Sequence, residues 1–466
     1  MTEAVSAARA RVRDEFGRWV EELERLVRIP SVSASPQAES HVRESAEAVA
    51  DLFRRIGFED VKITTAGGAP PAVIATWTEV ESSPTVLLYA HHDVQPPGFL
   101  DRWSADPFEP VQRDGRLYGR GAADDKAGVV AHAAALAAWF DTAGGPPCNV
   151  KVVVEGEEEV GSPHLADLLA AHAEELSSDV MVLADAGNWS VGVPAITYSL
   201  RGLAGGVLRL RGLRAPVHSG LGGGVLPDPA MALAKVLASL TDDHGDVSVP
   251  GFSDDVRTPS ESELRRVGEL GDVAAAFRAA FGVLEGVELV GDPSRHVFER
   301  LWFRPAVTVL GVDTNPIEGS SNQIVARAAA RISFRIAPGQ DPARLHEVLR
   351  RHFASVVPWG LEWEWEEEES VPAWVCEPEG WAFDAMRWAL SEAFGREPVL
   401  MGMGATIPFV GPFAQAFGGV PALLVGAADP TSAIHSEDES VHLDDLRRLA
   451  ESETLFLEAV ASGSSG

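Results

Sequence analysis

The chain has 466 residues, and this length predicts two or three domains rather than a single core. Hydrophobic residues make up 45% and charged residues 23%, which is ordinary for a soluble globular protein. The net charge of −31 argues against a nucleic-acid partner, because phosphate binding needs a basic face and none stands out.

Helices and strands alternate over the first two hundred residues. Apolar residues recur at helical spacing over 5–29 and 40–56, and further helices are predicted over 126–140 and 162–174. The predicted strands are VKITT, AVIAT, TVLLYA, NVKVVVE and VMVLA. This alternation is typical of an α/β domain with a mainly parallel central sheet flanked by helices.

The pattern changes at Gly202 and returns after Val371. The elements predicted between them are the strand GGVLRLRG, a helix over 228–240, two helices ending near 284, the strands AVTVLGV and QIVARAAARISFRIA, a helix over 341–353 and the strand LEWEWEEEE. A helix over 381–394, the strand PALLVG and a helix over 443–459 follow. We therefore predict a discontinuous α/β catalytic domain, 1–201 and 372–466, with an inserted α+β domain at 202–371.

The cysteines and the apolar stretches bear on where the protein resides. Cys148 and Cys376 lie far apart and match no metal-ligand or redox spacing, so a reducing cytoplasm is the default location. The N-terminal segment has no apolar signal core, and the longest apolar stretch, 128–140, is too short to span a bilayer. We expect a cytoplasmic protein without a membrane partner.

Carboxylate and histidine side chains recur just past the predicted strands. In chain order they are His91, Asp93, Asp124, Glu158, Glu159, Asp185 and His435. Taken singly, such residues are usually helix caps, solvated turns or surface groups. Taken together they supply enough ligands for two divalent metals and leave a carboxylate to act as base, a combination that suggests metal-assisted hydrolysis.

The spacing within His91-His92-Asp93 separates the roles of these three side chains. In an extended segment, alternate residues share a face, so His91 and Asp93 point the same way. A metal-ligating histidine gives its other ring N–H to an acceptor, often a carboxylate. We therefore predict that His91 binds metal and Asp93 orients it, whereas His92 points away.

Five motifs in order resemble those of a known family. They are YAHHDVQP, LYGRGAADDKAG, EGEEEVGS, DAGNWSVGVPAITYSLRG and HSEDES. The chain is similar to the dinuclear-metal peptidases and deacylases that include carnosine dipeptidases, non-specific dipeptidases, aminoacylases and succinyl-diaminopimelate desuccinylase. The stretch that ends in ITYSLRG is especially close to the dipeptidase branch.

The resemblance implies a role for each candidate residue. Asp124 would bridge both metals, His91 and Asp185 would complete one site, Glu159 and His435 would complete the other, and Glu158 would be the general base. The implied cofactors are two divalent ions per subunit, zinc in the first place, with manganese and cobalt as alternatives.

The resemblance also assigns residues in the inserted domain, which would be a lid and dimerisation domain. His218 matches a histidine that relatives insert across a dimer interface to stabilise the oxyanion, which implies a homodimer through this domain. Arg335 matches an arginine that grips the substrate's carboxylate, a suitable task for a guanidinium. Asn322 matches a substrate-contacting asparagine.

One segment departs from the family pattern. Dipeptidases of the family carry an Arg-Glu-Gly-Gly-Ser-Ile-Pro run that cups the substrate's carboxylate, whereas Gly402–Pro408 reads GMGATIP. The turn is kept, the arginine is missing and one glycine is alanine. Gly404 and Thr406 remain candidate substrate contacts, and we expect carboxylate recognition here to be weaker or rearranged.

The leading functional hypothesis is hydrolysis of the amide bond of dipeptides or small peptides. A water bridging two divalent metals would attack, and Glu158 would be the base. The alternative is an N-acyl amino acid deacylase or desuccinylase with the same metal centre. A non-catalytic peptide- or metal-binding homologue is a third hypothesis, which the intact Glu158 disfavours.

Overall fold

The computed structural model describes residues 2–35, 38–368, 370–411, 413 and 418–463. The predicted domain over 372–466 and the predicted strand that ends at Glu369 extend beyond these described residues. The chain divides into two compact units. Unit 1 comprises Met1–Tyr198, Glu377–Met401 and Phe409–Gly466, and unit 2 comprises Ser199–Cys376 and Gly402–Pro408. The sequence prediction placed Gly402–Pro408 in the catalytic domain instead, because the segment lies far along the chain from the rest of unit 2.

The elements follow one another in this order. The chain up to residue 200 forms α1 (Glu3–Asp14), α2 (Phe16–Val27), α3 (Ala38–Ile56), β1 (Asp60–Thr64), β2 (Ala72–Trp77), β3 (Thr85–His91), β4 (Val111–Arg113), β5 (Arg116–Tyr118), α4 (Lys126–Ala143), β6 (Asn149–Glu155), α5 (Leu165–Ala171), α6 (Ala173–Leu176), β7 (Val180–Leu183) and β8 (Ala195–Leu200). The next part forms β9 (Gly202–Arg211), β10 (Val217–His218), α7 (Ser219–Gly222), α8 (Pro229–Ala238), α9 (Glu261–Glu269), α10 (Ala274–Ala280), α11 (Val297–Phe303), β11 (Ala306–Asp313), β12 (Gln323–Ile324), β13 (Arg327–Ile336), α12 (Pro342–Val356), β14 (Glu362–Glu367) and β15 (Trp374–Val375). The last part forms α13 (Trp381–Phe394), β16 (Val399–Met403), β17 (Ala422–Leu424), β18 (Ser440–His442) and α14 (Leu443–Ser462).

A mixed sheet forms the centre of unit 1. Its strands lie in the order β1-β2-β6-β3-β7-β17-β8. The four central strands, β6, β3, β7 and β17, are parallel to one another, whereas β1, β2 and β8 pair antiparallel. The predicted α/β class is confirmed, and the parallel strands occupy the middle of the sheet, where β3 and β6 are buried along nearly their whole length.

The helix α4 lies in the core of unit 1. It is apolar all round and buried from Lys126 to Trp139. The Asp125 carboxylate caps its N-terminus by accepting from Gly128 N, and Gly144 ends it in the left-handed conformation at φ 81°. The helix predicted over 5–29 is in fact two helices, because the backbone leaves the helical region at Glu15.

Unit 2 is built on an antiparallel sheet with strand order β11-β13-β9-β14. Helices α8 and α12 pack their apolar faces against β9 and β13. Leu208, Leu233, Phe334, Leu349 and Phe353 are fully or almost fully buried in the resulting core. Within the described part of the chain, no helix of either unit is both long and apolar enough to cross a lipid bilayer.

Candidate metal centre

The parallel strands of unit 1 bring several predicted ligands to one edge of the sheet. His91 ends β3, Glu158 and Glu159 follow β6, and Asp185 follows β7. Because β3 pairs in parallel with both β6 and β7, the carboxyl ends of these strands meet. The prediction that strand ends gather these side chains matches this geometry.

The first group of ligand atoms belongs to His91, Glu158 and Asp185. His91 Nε2 lies 3.9 Å from Asp185 Oδ1 and 4.0 Å from Glu158 Oε2. Ligand atoms of these three side chains all lie within 4.8 Å of one another. The grouping therefore includes Glu158, which the sequence assigned as a base rather than a ligand.

The second group belongs to Asp124, Glu159 and His435. His435 Nε2 lies 3.0 Å from Asp124 Oδ2 and 3.1 Å from Glu159 Oε2. The other oxygen of the same aspartate, Oδ1, lies 2.9 Å from His91 Nε2. Asp124 thus lies between the two groups, with one carboxylate oxygen toward each. The Asp124–Asp125 peptide bond, at the start of α4, is cis.

Asp93 is fully buried beside His91, and it makes further contacts. His91 Nδ1 lies 3.5 Å from Asp93 Oδ1 and 3.1 Å from the Asp93 carbonyl oxygen. The two Asp93 oxygens also accept hydrogen bonds from the backbone N–H groups of Glu158 and Glu159, at 3.1 Å each. His92 points away from this group, toward the carbonyl oxygen of Pro71 at 2.9 Å.

The charges of the centre perturb its titrating groups. Burial and the nearby charge of Asp185 raise the pKa of Glu158 well above its ordinary value. Burial likewise raises the pKa of Asp185 to about 6, although its hydrogen bond with His91 lowers it. Burial alone would lower the pKa of His435, but hydrogen bonds to Asp124 and Glu159 raise it to about 10. These shifts reflect an excess of carboxylates in a poorly hydrated site.

The donor set fits two divalent cations. Four carboxylates converge with two imidazoles, and both are ligand types that zinc, manganese and cobalt accept. A cation at each group would offset the negative charge that burial makes costly. The two groups share Asp124 as their common neighbour, which is the arrangement that a bridging carboxylate requires.

Three residues that support the centre were missed by the sequence analysis. Gln95 donates from Nε2 to Glu159 Oε2 at 2.8 Å, and its backbone N–H bonds the other oxygen at 3.0 Å. Asp125 Oδ2 accepts from His91 N at 3.2 Å. Glu439 accepts from the Asp124 backbone N–H at 3.1 Å. Each lies inside a motif already identified, but a single sequence contains no signal that distinguishes it from its polar neighbours.

In unit 2, Arg335 contacts the segment that departs from the family pattern. Arg335 Nη1 donates to Thr406 Oγ1 at 2.7 Å, and that hydroxyl donates to the Arg201 carbonyl oxygen at 2.7 Å. The Arg201 guanidinium is almost fully buried and donates from Nε to the Gly404 carbonyl at 3.0 Å. Burial and the charge of Arg335 lower the pKa of Arg201 to about 10. Two guanidinium groups therefore lie close together beside this segment.

The missing arginine of the segment has a steric explanation. A Cβ atom at Gly402 would come within 2.6 Å of Trp302 Cγ, and Trp302 is buried. The indole occupies the space that any side chain at position 402 would need. Glycine is therefore required here as long as Trp302 keeps its place.

The remaining predicted residues of unit 2 are His218, on the short strand β10, and Asn322, which directly precedes β12. His218 in β10 pairs with Gln323 in β12, next to Asn322. The imidazole is exposed, and its Nδ1 accepts from Gly220 N at 3.0 Å. Asn322 is exposed, and its backbone carbonyl accepts a hydrogen bond from Ser219 N at 2.8 Å.

The α/β fold and the paired ligand groups are those of a metal-dependent hydrolase. The chain belongs to peptidase family M20/M25/M40, whose family model matches residues 87–459. The predictions of the family and of a metallopeptidase are thereby confirmed.

Similar proteins include a cysteinylglycine-S-conjugate dipeptidase of Corynebacterium striatum. It is 32% identical over 442 residues, which cover 94% of this chain and 95% of that protein. A Cys-Gly metallodipeptidase of Schizosaccharomyces pombe is 29% identical over 450 residues, which cover 93% of this chain and 92% of that protein. Among solved structures, the dipeptidase Dug1p of Saccharomyces cerevisiae matches with a TM-score of 0.86 over 100% of both chains. Its identity is 24%, so this likeness shows the fold.

Proposed function

We propose that the chain is a dinuclear metallodipeptidase that hydrolyses the amide bond of dipeptides. The observation that carries this proposal is the position of Asp124, whose two carboxylate oxygens face two different groups of ligands. The relatives named as dipeptidases match more than nine-tenths of the chain, which favours dipeptides over larger substrates.

The residues of the centre divide the work between binding and proton transfer. His91 and Asp185 would hold one cation, Glu159 and His435 the other, and Asp124 both. Two bound divalent cations supply Lewis acidity, which polarises the substrate carbonyl and makes a water molecule easier to deprotonate. Zinc is the cation we propose first, because the set combines imidazole with carboxylate.

Glu158 is proposed as the general base. Its carboxylate is largely buried, with 13% of the side chain exposed, and lies 4.0 Å from His91. A carboxylate oxygen of Glu158 lies within 4.8 Å of the ligand atoms of His91 and Asp185, which puts a proton acceptor beside the proposed cation. The glutamate would take the proton from the attacking water and then deliver it to the leaving amine.

Residues of unit 2 are proposed to select the substrate. Arg335 is held by Thr406 and offers a guanidinium to the substrate's C-terminal carboxylate. Gly404 and Asn322 are proposed as further contacts, and His218 as a donor that stabilises the oxyanion. In this proposal the missing arginine at Gly402 is offset by the charge of Arg335.

We further propose that the protein is a homodimer through unit 2. The strand β11 is an edge strand, and its residues from Thr308 to Asp313 are exposed. They include the apolar Val309, Leu310 and Val312, whose exposed fractions are 41%, 56% and 56%. An exposed apolar edge strand offers both hydrogen-bonding groups and apolar surface to a second strand. A second copy of the same strand, antiparallel across a two-fold axis, would satisfy both.

A substrate panel tests the proposed function. Metal-stripped protein would be reloaded with zinc, manganese or cobalt and assayed against Cys-Gly, β-alanyl-histidine, N-acetyl amino acids and N-succinyl amino acids. We expect hydrolysis of dipeptides only when metal is present. Hydrolysis of the N-acyl substrates alone would show a deacylase, and bound metal without any turnover would show a non-catalytic homologue.

A further inference from the structure

The carboxylate of Glu439 is fully buried in unit 1 and is surrounded by donors from one loop. Oε1 accepts from the backbone N–H groups of Ala123 and Asp124 at 2.9 and 3.1 Å. Oε2 accepts from Gly121 N at 3.1 Å and from Arg120 Nη1 at 2.5 Å. The Glu439 carboxylate therefore accepts hydrogen bonds from four of the five residues in the loop from Arg120 to Asp124.

The same side chain links two distant parts of the sequence. Glu439 lies four residues after His435, and the Glu439 carbonyl also accepts from Gly119 N at 2.9 Å. The Arg120 guanidinium strengthens this link, because its Nη2 donates to the Ser436 carbonyl at 3.1 Å. The loop that carries Asp124 and the loop that carries His435 are thus joined by hydrogen bonds at both Ser436 and Glu439.

The two preceding acidic residues do not share this environment. Glu437 is partly exposed and accepts only a weak bond from Phe99 N at 3.4 Å, among its contacts within the described chain. Asp438 is also partly exposed and accepts from Ser104 N at 2.8 Å. Among the hydrogen bonds of the described residues, those from these three acids to the Asp124 loop all belong to Glu439.

We infer that Glu439 is a positioning residue for the shared ligand Asp124. By holding the loop from Gly121 to Asp124 against the loop from His435 to Glu439, it keeps one Asp124 oxygen toward each ligand group. This inference rests on the proposed function only in that both groups bind metal. The Glu439 carboxylate is fully buried among donors of the Asp124 loop, so its effect is on the geometry of metal binding.

The donors around Glu439 explain why an uncharged side chain cannot replace it. Both oxygens act as acceptors, and three of the four donors are backbone N–H groups that cannot turn away. In a glutamine one oxygen becomes an NH₂ group, which would face N–H donors and leave them unsatisfied in a buried site. The loop would then relax, and both ligand groups would lose their common Asp124 geometry.

The test compares zinc affinity in Glu439→Gln with that of the native protein. Metal-stripped protein is titrated with zinc in competition with a chelating dye, and bound zinc is counted by elemental analysis. We expect two zinc ions in the native protein and affinity about 10- to 100-fold weaker at both sites in the variant. Glu439→Asp, which keeps the charge on a shorter side chain, should bind zinc more tightly than Glu439→Gln but more weakly than the native protein. If Glu439→Gln does not fold, Glu439→Asp is compared with the native protein in its place.

Two control variants separate positioning from general destabilisation. Glu437→Gln removes a carboxylate from the same loop without touching the Asp124 loop. Glu263→Gln in unit 2 removes a buried carboxylate that pairs with Arg257 at 2.6 Å, a comparable ion pair outside the metal centre. Both should keep native zinc affinity, and the unfolding free energy of each metal-free protein is measured alongside.

The inference is overturned if Glu439→Gln binds two zinc ions as tightly as the native protein. It is also overturned if Glu263→Gln weakens zinc binding as much, since the effect would then follow stability. Failure of the proposed function has a different signature. A native protein that binds two zinc ions but hydrolyses no dipeptide would contradict the dipeptidase proposal and leave the affinity comparison intact.

Discussion

Asp93 accepts a hydrogen bond from the backbone N–H of Glu158 at 3.1 Å. The main chain at the proposed base is therefore held by a buried carboxylate, independently of the Glu158 side chain. A second bond, from Glu159 N to the same carboxylate, extends this support to the adjacent ligand. Asp93 thus connects the segment that carries His91 to the paired glutamates, and a change confined to the Glu158 side chain should leave the backbone in place.

Glu158→Gln should therefore separate proton transfer from metal binding. The amide keeps the size of the side chain but cannot accept a proton, so kcat should fall about 100- to 10,000-fold, the usual contribution of a general base. Zinc content should stay at the native level. Steady-state kinetics on a dipeptide and elemental analysis measure the two quantities.

A matched control for this variant is Glu157→Gln. Glu157 precedes the base but its carboxylate turns to His164, accepting from N and Nδ1 at 2.8 and 3.0 Å. Native kcat is expected there. If Glu158→Gln kept its activity, or lost its zinc together with its activity, Glu158 would not be acting as the base alone.

Arg335→Lys should reveal whether this guanidinium recognises a carboxylate. Lysine keeps the charge but loses the forked donor geometry, and a hydrogen bond to a charged group contributes about 1.5–3 kcal/mol. We expect kcat/KM to fall about 10- to 100-fold for dipeptides with a free C-terminus. C-terminally amidated dipeptides, which have no carboxylate to lose, should be hydrolysed at nearly unchanged kcat/KM.

The control for Arg335 lies on the same strand. Arg331 is 58% exposed and pairs with Glu368 at 2.9 Å, so Arg331→Lys should leave both substrate types unaffected. An equal loss for free and amidated dipeptides in Arg335→Lys would mean that the residue supports the structure of Gly402–Pro408 through Thr406 rather than binding the substrate.

The strand-end positions of His91 and Asp185 were predictable from the sequence, whereas the proposed ligand roles of Asp124, Glu159 and His435 were implied by the family resemblance. His91 and Asp185 follow apolar strands, and parallel strands bring their carboxyl ends together. Glu439 could not be selected in the same way, since three acids stand side by side and only the fold buries one of them. The steric role of Trp302 at Gly402 was equally hidden, because the two residues are a hundred positions apart.

The proposed dimer predicts that a charge on β11 separates the subunits. Leu310 is 56% exposed on this edge strand, and in a strand-to-strand interface it would be covered. Leu310→Asp would place two like charges across the two-fold axis. Size-exclusion chromatography with light scattering should then give the mass of a single 49.6-kDa chain, whereas the native protein gives twice that mass.

Val290→Asp is the control for the dimer, because Val290 is 75% exposed in unit 2 but lies outside β11. It should remain dimeric. A native protein that elutes as a monomer would rule out the interface, and with it the expectation from the family resemblance that His218 acts across a dimer interface.

A buried ion pair remote from the ligand side chains predicts how stability depends on pH. His132 on α4 is fully buried, and its Nδ1 lies 2.8 Å from Glu453 Oε2 while Nε2 donates to the Tyr89 carbonyl at 3.0 Å. Burial lowers the pKa of His132, but the charge and hydrogen bond of Glu453 outweigh it and raise the pKa above the ordinary value. Both ring nitrogens face acceptors, which suits the protonated imidazolium.

Because the His132 pKa is raised in the folded state, the stabilisation from this pair is complete below the unfolded pKa of about 6.5. It is lost as the pH rises through the folded pKa. His132→Gln should therefore lower the unfolding free energy by about 3–5 kcal/mol just below pH ~6.5, where the imidazole is protonated and Glu453 is ionised, as expected for breaking a buried pair. The difference from the native protein should shrink as the pH is raised. Urea denaturation of the metal-free proteins at several pH values measures this difference in unfolding free energy. His296→Gln is the control, because the His296 ring bonds a backbone carbonyl, that of Gly271 at 2.7 Å, instead of a carboxylate. A difference that stays constant with pH would mean that His132 is neutral in the folded protein.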